Sequence, residues 1–205
     1  MGSEAFCFLF AFNKGLSITK ENLQDDGIPC VNYGEIHSKY GFEVDPLKND
    51  LKCVSNTYLE NNRGSILNFG DFVFADTSED IEGAGNFTYL NSHEVTFAGY
   101  HTIITRQIVK INVRYLAYLF DSVAYRTQIR SSVAGIKVYS ITKDILKNSY
   151  VLLPSSIEQK SIAVFLDRET AKIDEMMKKV EMQIEKLQEY RQALITSTVM
   201  GKIKV

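Results

Sequence analysis

A stripe of apolar residues near the C-terminal end is the clearest pattern along this chain. Its members recur at alternating intervals of four and three residues: Ile173, Met177, Val180, Ile184, Leu187, Arg191, Leu194 and Thr198. This spacing keeps one narrow stripe of a helix facing a partner helix, and Arg191 interrupts it with a charge. Because such a stripe is too thin for a globular core, the pattern predicts a helix over residues 168–198 that pairs with a helix this chain does not supply. At 1.5 Å per residue, that helix would span roughly 45 Å.

Shorter patterns in the preceding residues predict a mixed β-sheet with short helices. Alternating or continuous apolar runs predict strands at residues 5–12, 28–33, 72–75, 94–105, 139–141 and 150–153. Apolar residues at helical spacing predict one helix over residues 113–131. The alternation that starts at residue 28 predicts a strand running into an exposed turn over residues 33–40. The fold class is therefore α+β, with a long helix at the C-terminal end.

Helix-capping residues mark the boundary between the globular part and the C-terminal helices. Ser155 and Glu158 have the spacing of a capping box, in which each side chain bonds the backbone N–H of the other residue. Asp167 is placed to cap the long helix that follows. The sequence thus predicts a globular domain over residues 1–154 and a helical region over residues 155–205.

The composition fits one globular core with an appendage. The chain has 205 residues, of which 45% are hydrophobic. No apolar run reaches the roughly 18 residues that cross a membrane, and the opening apolar segment is too short and lacks the basic start of a signal peptide. The three cysteines are odd in number and far apart. They favour reduced thiols and a cytoplasmic location.

Charges are segregated along the chain, although the net charge is only -2. Residues 1–105 carry six Lys/Arg and fifteen Asp/Glu, a net of -9, whereas residues 106–147 carry eight and two, a net of +6. The basic segment has enough cations to meet several phosphates of a nucleic acid. Ordinary solvated side chains on a helix and loops explain it equally well.

Catalytic interpretations find little support in the residues. Asp76, Glu79, Asp80 and Glu82 form an acidic cluster able to hold Mg²⁺ in a nuclease, but such runs are usually solvated loops. The three histidines lack metal-ligand spacing with one another or with the cysteines. No glycine-rich fingerprint follows a strand. The sequence predicts a protein that has no catalytic residue, metal site or cofactor.

The residues from position 154 onward resemble a known family. The matching positions are Pro154, Glu158, Gln159, Ile162, Ala163, Phe165, Leu166, Asp167, Thr170, Lys172, Ile173, Asp174, Leu187, Tyr190, Arg191, Leu194, Ile195, Val199, Gly201 and Lys202. This segment resembles the conserved spacer of the DNA-specificity subunit of type I restriction–modification systems, and departs from it at Met200, where Thr is more frequent. A full subunit of that family carries two target-recognition domains and two such helices, which pair antiparallel. The resemblance implies half a subunit, whose helix forms an antiparallel coiled coil and acts as a ruler between two recognition domains.

The globular part resembles the target-recognition domain of the same family, more loosely. The matching segments are residues 15–20, 33–37, 70–73, 98–99 and 115–142. The resemblance implies a non-catalytic subunit that recognises a bipartite site in double-stranded DNA. It also implies modification (methyltransferase) subunits as partners, restriction subunits through them, and a second copy or another specificity half. The alternative is a non-DNA-binding interaction or dimerisation protein derived from such a subunit.

Two segments are candidates for DNA contact. Residues 33–40 hold polar and planar side chains of the kind that read base edges, and residues 131–139 combine small hydroxyls, a glycine and a lysine after a basic helix end. The candidate residues are Lys14, Lys20, Tyr33, Glu35, His37, Lys39, Tyr40, Arg126, Arg130, Ser132, Gly135, Lys137 and Tyr139.

Different roles are expected within this set. Arg126, Arg130 and Lys137 are expected to contact phosphates, and the segment 33–40 is expected to lie near base edges. The alternative for that segment is that its two tyrosines are core aromatics and its histidine a hydrogen-bonded surface residue.

Overall fold

A computed structural model describes residues 2–133, 135 and 138–203 of the chain. The chain forms two compact units, Met1–Lys160 and Ser161–Val205. The strands are β1 Gly2–Ala5, β2 Phe10–Lys14, β3 Ile28–Val31, β4 Glu43–Val44, β5 Cys53–Val54, β6 Ile66–Leu67, β7 Phe72–Ala75, β8 Thr77–Ser78, β9 Phe87–Leu90, β10 Thr96–Ala98, β11 Thr102–Gln107, β12 Tyr139–Ser140 and β13 Tyr150–Leu153. The α-helices are α1 Tyr33–Ser38, α2 Tyr58–Asn61, α3 Val113–Asp121, α4 Val123–Arg130, α5 Lys143–Lys147 and α6 Ser156–Val199. Single 3-10 turns lie at Phe6–Phe8, Lys20–Asn22 and Arg63–Ser65.

A five-stranded sheet in the order β2-β11-β7-β9-β4 is the largest sheet of the first unit. Its strands are antiparallel, except that β4 joins β9 in parallel. A second sheet has the order β5-β3-β10-β6, and the chain passes from it to the first sheet through residues 99–101. Two further antiparallel pairs are formed by β1 with β13 and by β8 with β12.

Apolar side chains cover both faces of the five-stranded sheet. On one face Phe72 of β7 packs against Phe120 of α3, with ring centroids 5.0 Å apart. On the other face Val73 belongs to a cluster of buried residues that includes Ile36 of α1. Successive residues of β7 thus face opposite layers, and all four of them are buried. A strand covered on both faces explains the continuous apolar sequence at this point.

The predicted α+β class is confirmed: mixed sheets with short helices precede one long C-terminal helix. The capping box is also confirmed. The Glu158 N–H donates to Ser155 Oγ at 3.3 Å, and the Ser155 N–H donates to Glu158 Oε2 at 2.9 Å. The pairing of the long helix with another helix stays a prediction.

The prediction of a strand running into an exposed turn over residues 33–40 is wrong. Strand β3 ends at Val31, and helix α1 begins two residues later. Tyr33 and Ile36 are three residues apart and share one face of this helix, and Tyr40, which follows the helix, joins the same buried cluster. Ile36 and Tyr40 are buried on the sheet side, and the helical period therefore overrides the short alternation that precedes it.

Two further helix predictions need correction. The helix predicted over residues 113–131 is two helices, because the backbone of Ser122 is extended and its Oγ accepts a hydrogen bond from the Tyr125 N–H at 3.2 Å. The cap predicted at Asp167 is absent, because α6 runs without a break from Ser156 to Val199. Its 44 residues make a helix of about 66 Å.

Cys7, Cys30 and Cys53 are all free thiols. Cys30 and Cys53 are buried, and that burial raises the pKa of both thiols. Within the described part of the chain, no helix has the length and apolar content needed to cross a membrane.

Candidate nucleic-acid interface

Three loops of the first unit meet at one end of the five-stranded sheet. Lys14, the last residue of β2, pairs with Ile103 of β11, and Ala75, the last residue of β7, pairs with Thr102. The loops that follow β2 and β7, and the loop that precedes β11, therefore leave the sheet side by side. Segments far apart in sequence thus form one surface, which we call the loop face.

Two glycines hold the loop face together, and both lie in segments that the sequence singled out. A Cβ atom on Gly15 would collide with the carbonyl oxygen of Gly99 and with Thr102 Oγ1, and one on Gly99 would collide with Asn32 Oδ1. The Thr102 hydroxyl donates to the Gly99 carbonyl at 2.7 Å. Backbone can approach backbone this closely only where no side chain intervenes.

His101 stands on the loop face in a position that sequence reasoning missed. Its φ of 55° makes it the one non-glycine residue with positive φ in the described part of the chain. Its Nδ1 lies 3.1 Å from Asp76 Oδ1, and the Asp76 N–H donates to the His101 carbonyl at 3.0 Å. The rings of Tyr33 and Tyr100 lie 5.2 and 5.9 Å from its ring. The sequence predicts one strand over residues 94–105 and gives no signal for the turn that separates β10 from β11 at this histidine.

His37 uses both ring nitrogens inside the protein. Its Nε2 lies 2.8 Å from the Thr77 carbonyl oxygen, so Nε2 carries the proton and donates. Its Nδ1 accepts from Asn86 Nδ2 at 2.9 Å. The Asn86 Oδ1 in turn accepts from Arg126 at 2.6 Å, and Arg126 also pairs with Asp121 at 2.8 Å. This chain of hydrogen bonds leaves no ring nitrogen of His37 to meet a base edge.

The other candidates from residues 33–40 are divided between surface and core. Tyr40 is only 8% exposed, and burial raises the pKa of its hydroxyl. Lys39 donates to the carboxylate of Asp50 at 3.3 Å. Tyr33 and Glu35 are half-buried. Of the alternatives that the sequence left open, the core position fits Tyr40 and the hydrogen-bonded histidine fits His37.

The candidates within α4 and after it follow the same division. Arg126, with 17% of its side chain exposed, is held by the contacts given above. Arg130 donates to the carbonyl of Glu82. Ser132 donates to the Gln128 carbonyl at 3.0 Å, and Tyr139 pairs with Ser78 in the ribbon of β12 and β8. Gly135 again allows close backbone approach, since a Cβ atom there would meet the Val138 carbonyl.

The structure describes two of the three remaining candidate lysines. Lys14 and Lys20 are exposed, the first beside the loops of the loop face and the second in a 3-10 turn. Lys137 lies outside the described residues.

The charge segregation along the sequence is partly offset by ion pairs in the folded domain. Four of the eight cations in residues 106–147 form ion pairs within the described part of the chain: Arg106 with Asp71, Arg114 with Glu43, Arg126 with Asp121, and Lys147 with Asp144. Two of these carboxylates come from the acidic residues 1–105. The +6 segment is therefore not a free basic surface, and the cations left for phosphates are fewer than its net charge indicates.

The acidic loop after β8 behaves as a solvated turn. Asp80 Oδ1 accepts from the Gly83 N–H at 2.6 Å, and Glu79, Asp80 and Glu82 are exposed. These residues line a cavity of about 630 Å³ together with Tyr33 and residues that flank it. Among the described residues, no group of three or more His, Cys, Asp or Glu side chains is arranged to hold a metal ion.

The stripe on α6 remains open along the second unit. Its apolar members, Ile173, Met177, Val180, Ile184, Leu187 and Leu194, are 43–67% exposed. Met176 and Tyr190, which flank the stripe, are also more than half exposed. Among the described residues, no surface covers this apolar stripe, and an exposed stripe of this kind is typical of a helix that binds a partner.

Comparisons with known proteins agree on one family. Residues 9–186 match the model described as "Type I restriction modification DNA specificity domain". The chain is 31% identical over 195 residues to the type I restriction enzyme StySPI specificity subunit of Salmonella potsdam, which covers 93% of this chain and 40% of that subunit.

Solved structures are similar in fold. An S subunit of a type I restriction–modification system from M. genitalium has a TM-score of 0.56 at 14% identity, over 95% of this chain and 46% of that one. A chain in a structure of the type I R-M system that concerns its assembly and conformational transition has a TM-score of 0.72 at 15% identity, over 96% and 45%. The chain thus spans less than half the length of these relatives.

Proposed function

Because this chain belongs to the family of type I restriction–modification DNA specificity domains, we propose that it recognises a specific sequence in double-stranded DNA. The observation that carries this proposal is the match over residues 9–186, which includes every loop of the loop face. The chain has no catalytic step of its own. It directs modification (methyltransferase) subunits to the site, and restriction subunits through them, in the cytoplasm.

The loop face is the proposed DNA-binding surface. Tyr33, His101 and the ribbon residue Tyr139 supply planar and polar groups for base edges, and Lys14, Lys20, Arg130 and Lys137 supply phosphate contacts. His37 and Arg126 have a different role from the one predicted. They hold the loop that follows β7 in place, because their polar atoms are already bonded within the domain.

Self-association through α6 is the second part of the proposal. Burying the stripe would stabilise the protein by about 1 kcal/mol for each half-exposed apolar side chain. In a parallel, in-register pair, Arg191 would face Arg191 of the other copy inside the seam. An antiparallel pair centred near Met182 instead sets Val180 opposite Ile184 and Met177 opposite Leu187.

The same register also places the charge of Arg191. It lies opposite Ile173 of the other copy and beside Asp174, so the guanidinium meets a carboxylate near the end of the paired region. The antiparallel homodimer is therefore the arrangement that this stripe favours, with a second, different specificity half as the alternative partner.

Methylation mapping and DNA binding together test the proposed function. The chain, expressed with the modification subunit of its host, is expected to give methylation at one bipartite sequence, which defines the cognate DNA. Binding of that complex to cognate and random duplexes is then measured by fluorescence anisotropy over a range of salt concentrations. Lys14→Ala should weaken binding to both duplexes and reduce the salt slope by about one unit, because one phosphate contact is lost.

Lys48→Ala is the matched control, since it removes the same charge at the opposite end of the sheet. Lys48 follows β4, which ends beside Leu90, far along β9 from the loop face. This variant should leave affinity and salt slope unchanged. A complex that binds cognate and random DNA equally, with no salt dependence, would favour the interaction-protein alternative and refute the proposal.

A further inference from the structure

We propose that His101 is a specificity-determining residue: its Nε2 accepts a hydrogen bond from an exocyclic amino group of a DNA base. The inference rests on the proposed DNA-recognition function and adds to it a named atom and a class of ligand group. Adenine N6 and cytosine N4 are the amino groups that the major groove presents. Both are donors, so an acceptor is the group that recognises them.

Asp76 determines which nitrogen of His101 carries the proton. The ionised carboxylate can only accept, so the Nδ1 that lies 3.1 Å from Asp76 Oδ1 must be the donor. The Thr77 hydroxyl donates to the same oxygen at 2.7 Å, which holds the carboxylate in place. In the neutral ring, Nε2 then keeps its lone pair and faces away from Asp76. A histidine oriented in this way presents an acceptor of fixed direction.

The backbone of His101 adds a second argument. A non-glycine residue with a φ of 55° costs about 1 kcal/mol relative to an ordinary conformation, and such residues gather at ligand-binding sites. Glycine would adopt this turn without that cost. The hydrogen bond from the Asp76 N–H to the His101 carbonyl, at 3.0 Å, fixes the turn from the β7 side. The strain therefore sits in a surface turn whose histidine side chain is 56% exposed and can meet a ligand.

The surroundings of His101 suit a base edge beside a phosphate backbone. The Tyr33 and Tyr100 rings lie edge-on to its ring and restrict its rotation. Lys14, Ser17 and His101 share the lining of a surface cavity of about 220 Å³. A cation and a hydroxyl on one side of the histidine can hold a phosphate while its Nε2 reaches into the groove.

Two substitutions separate a base contact from a purely structural role. Asn adopts positive φ readily, and its amide nitrogen can replace Nδ1 as a donor to Asp76, but it has no atom at the Nε2 position. Gln places an amide oxygen near the Nε2 position and loses the tie to Asp76. His101→Asn should therefore keep the thermal unfolding temperature and lose cognate affinity about tenfold or more, with random DNA unchanged. His101→Gln should recover part of that loss.

The decisive measurement pairs these variants with altered DNA, using the full chain with the modification subunit and the cognate duplex found by methylation mapping. Each adenine and cytosine of a half-site is replaced singly by its analogue without the exocyclic amino group. For one position, the loss of the amino group should cost the wild type about tenfold and cost His101→Asn nothing further.

The possible results distinguish a failure of the His101 inference from a failure of the proposed function. If the wild type discriminates cognate from random DNA but every amino deletion costs wild type and His101→Asn equally, the His101 inference is wrong while the proposed function stands. If the wild type does not discriminate at all, the proposed function fails and the inference fails with it. A loss of stability in both variants, with unchanged discrimination, would assign His101 to the turn alone and overturn the inference.

Discussion

At the scale of single residues, one ion pair fixes the end of the sheet opposite the loop face. Asp71, with 3% of its side chain exposed, accepts from Arg106 Nε at 3.0 Å and from its terminal nitrogen at 2.6 Å. Arg106 also donates to the Ile66 carbonyl at 3.0 Å, and the hydrogen bonds that it donates to Asp71 raise the pKa of the guanidinium. Asp71 further accepts from the Asn68 N–H at 2.8 Å, which shapes the turn before β7. A buried carboxylate of this kind destabilises the protein unless its hydrogen-bond donors are all present.

Removing the arginine should destabilise the domain without changing DNA recognition. Arg106→Leu leaves the Asp71 carboxylate buried without its cation, and the free energy of unfolding should fall by about 3 kcal/mol. Denaturation by urea, followed by circular dichroism, measures this change. Lys48→Ala, which removes a solvent-exposed lysine paired with Asp45, should leave the free energy of unfolding nearly unchanged. Equal effects of the two substitutions would contradict the structural role given to the buried pair.

At the scale of elements, the contacts within α6 contribute little to the stability of this helix. Most apolar residues between Ile173 and Leu194 occupy a single stripe, and the residues from Ala171 to Thr196 are all exposed. Helical pairs such as Lys179 with Glu175 contribute only a few tenths of a kcal/mol each. Most of the stability of such a helix comes from packing its apolar stripe, so we expect α6 to pack against a second helix.

Disulfide trapping tests the orientation of that second helix. In the Cys7→Ser background, which removes the exposed thiol, Gln183→Cys should cross-link to itself because the antiparallel register sets this position near the two-fold axis. Leu187→Cys should not, since its partner in this register is Met177. Non-reducing electrophoresis gives the result. A parallel pair would give the reverse pattern, with cross-linking at Leu187→Cys, and Lys186→Cys on the outer face serves as the negative control.

At the scale of the whole molecule, the length of the chain relative to its family matters most. It covers 40% of the curated relative and at most 46% of the two solved ones described above. A homodimer would present two identical recognition domains. Because two-fold protein symmetry imposes the same symmetry on the target, the two halves of the site should be inverted repeats separated by a fixed spacer.

Changing the length of α6 should change that spacer. Seven residues inserted between Ile173 and Met177 preserve the stripe and lie on the domain side of the two-fold axis, so methylation mapping should find a longer spacer between unchanged half-sites. The same insertion after Val199, beyond the paired region, should leave the spacer as it was. A single asymmetric site in the methylome would instead indicate pairing with a different specificity half.

The sequence by itself determined the features that depend on residues close together along the chain. The stripe on α6, the capping box of Ser155 and Glu158, and the α+β class are all read from local spacing, because helices and strands bury side chains with fixed periods. The family match rests on the same kind of local pattern. Where two periods competed over a few residues, as between β3 and α1, local spacing gave the wrong element.

Only the tertiary structure decided which side chains are free to meet DNA. His37 and Arg126 look available in the sequence, but Thr77 and Asn86 occupy their polar atoms. His101 carried no pattern of its own, and Asp76 orients it from the position just after β7, a strand that is its neighbour only in the folded sheet. Hydrogen bonds and ion pairs depend on distance in space, and the register of β7 against β11 sets those distances. For that reason no spacing along the chain reveals them.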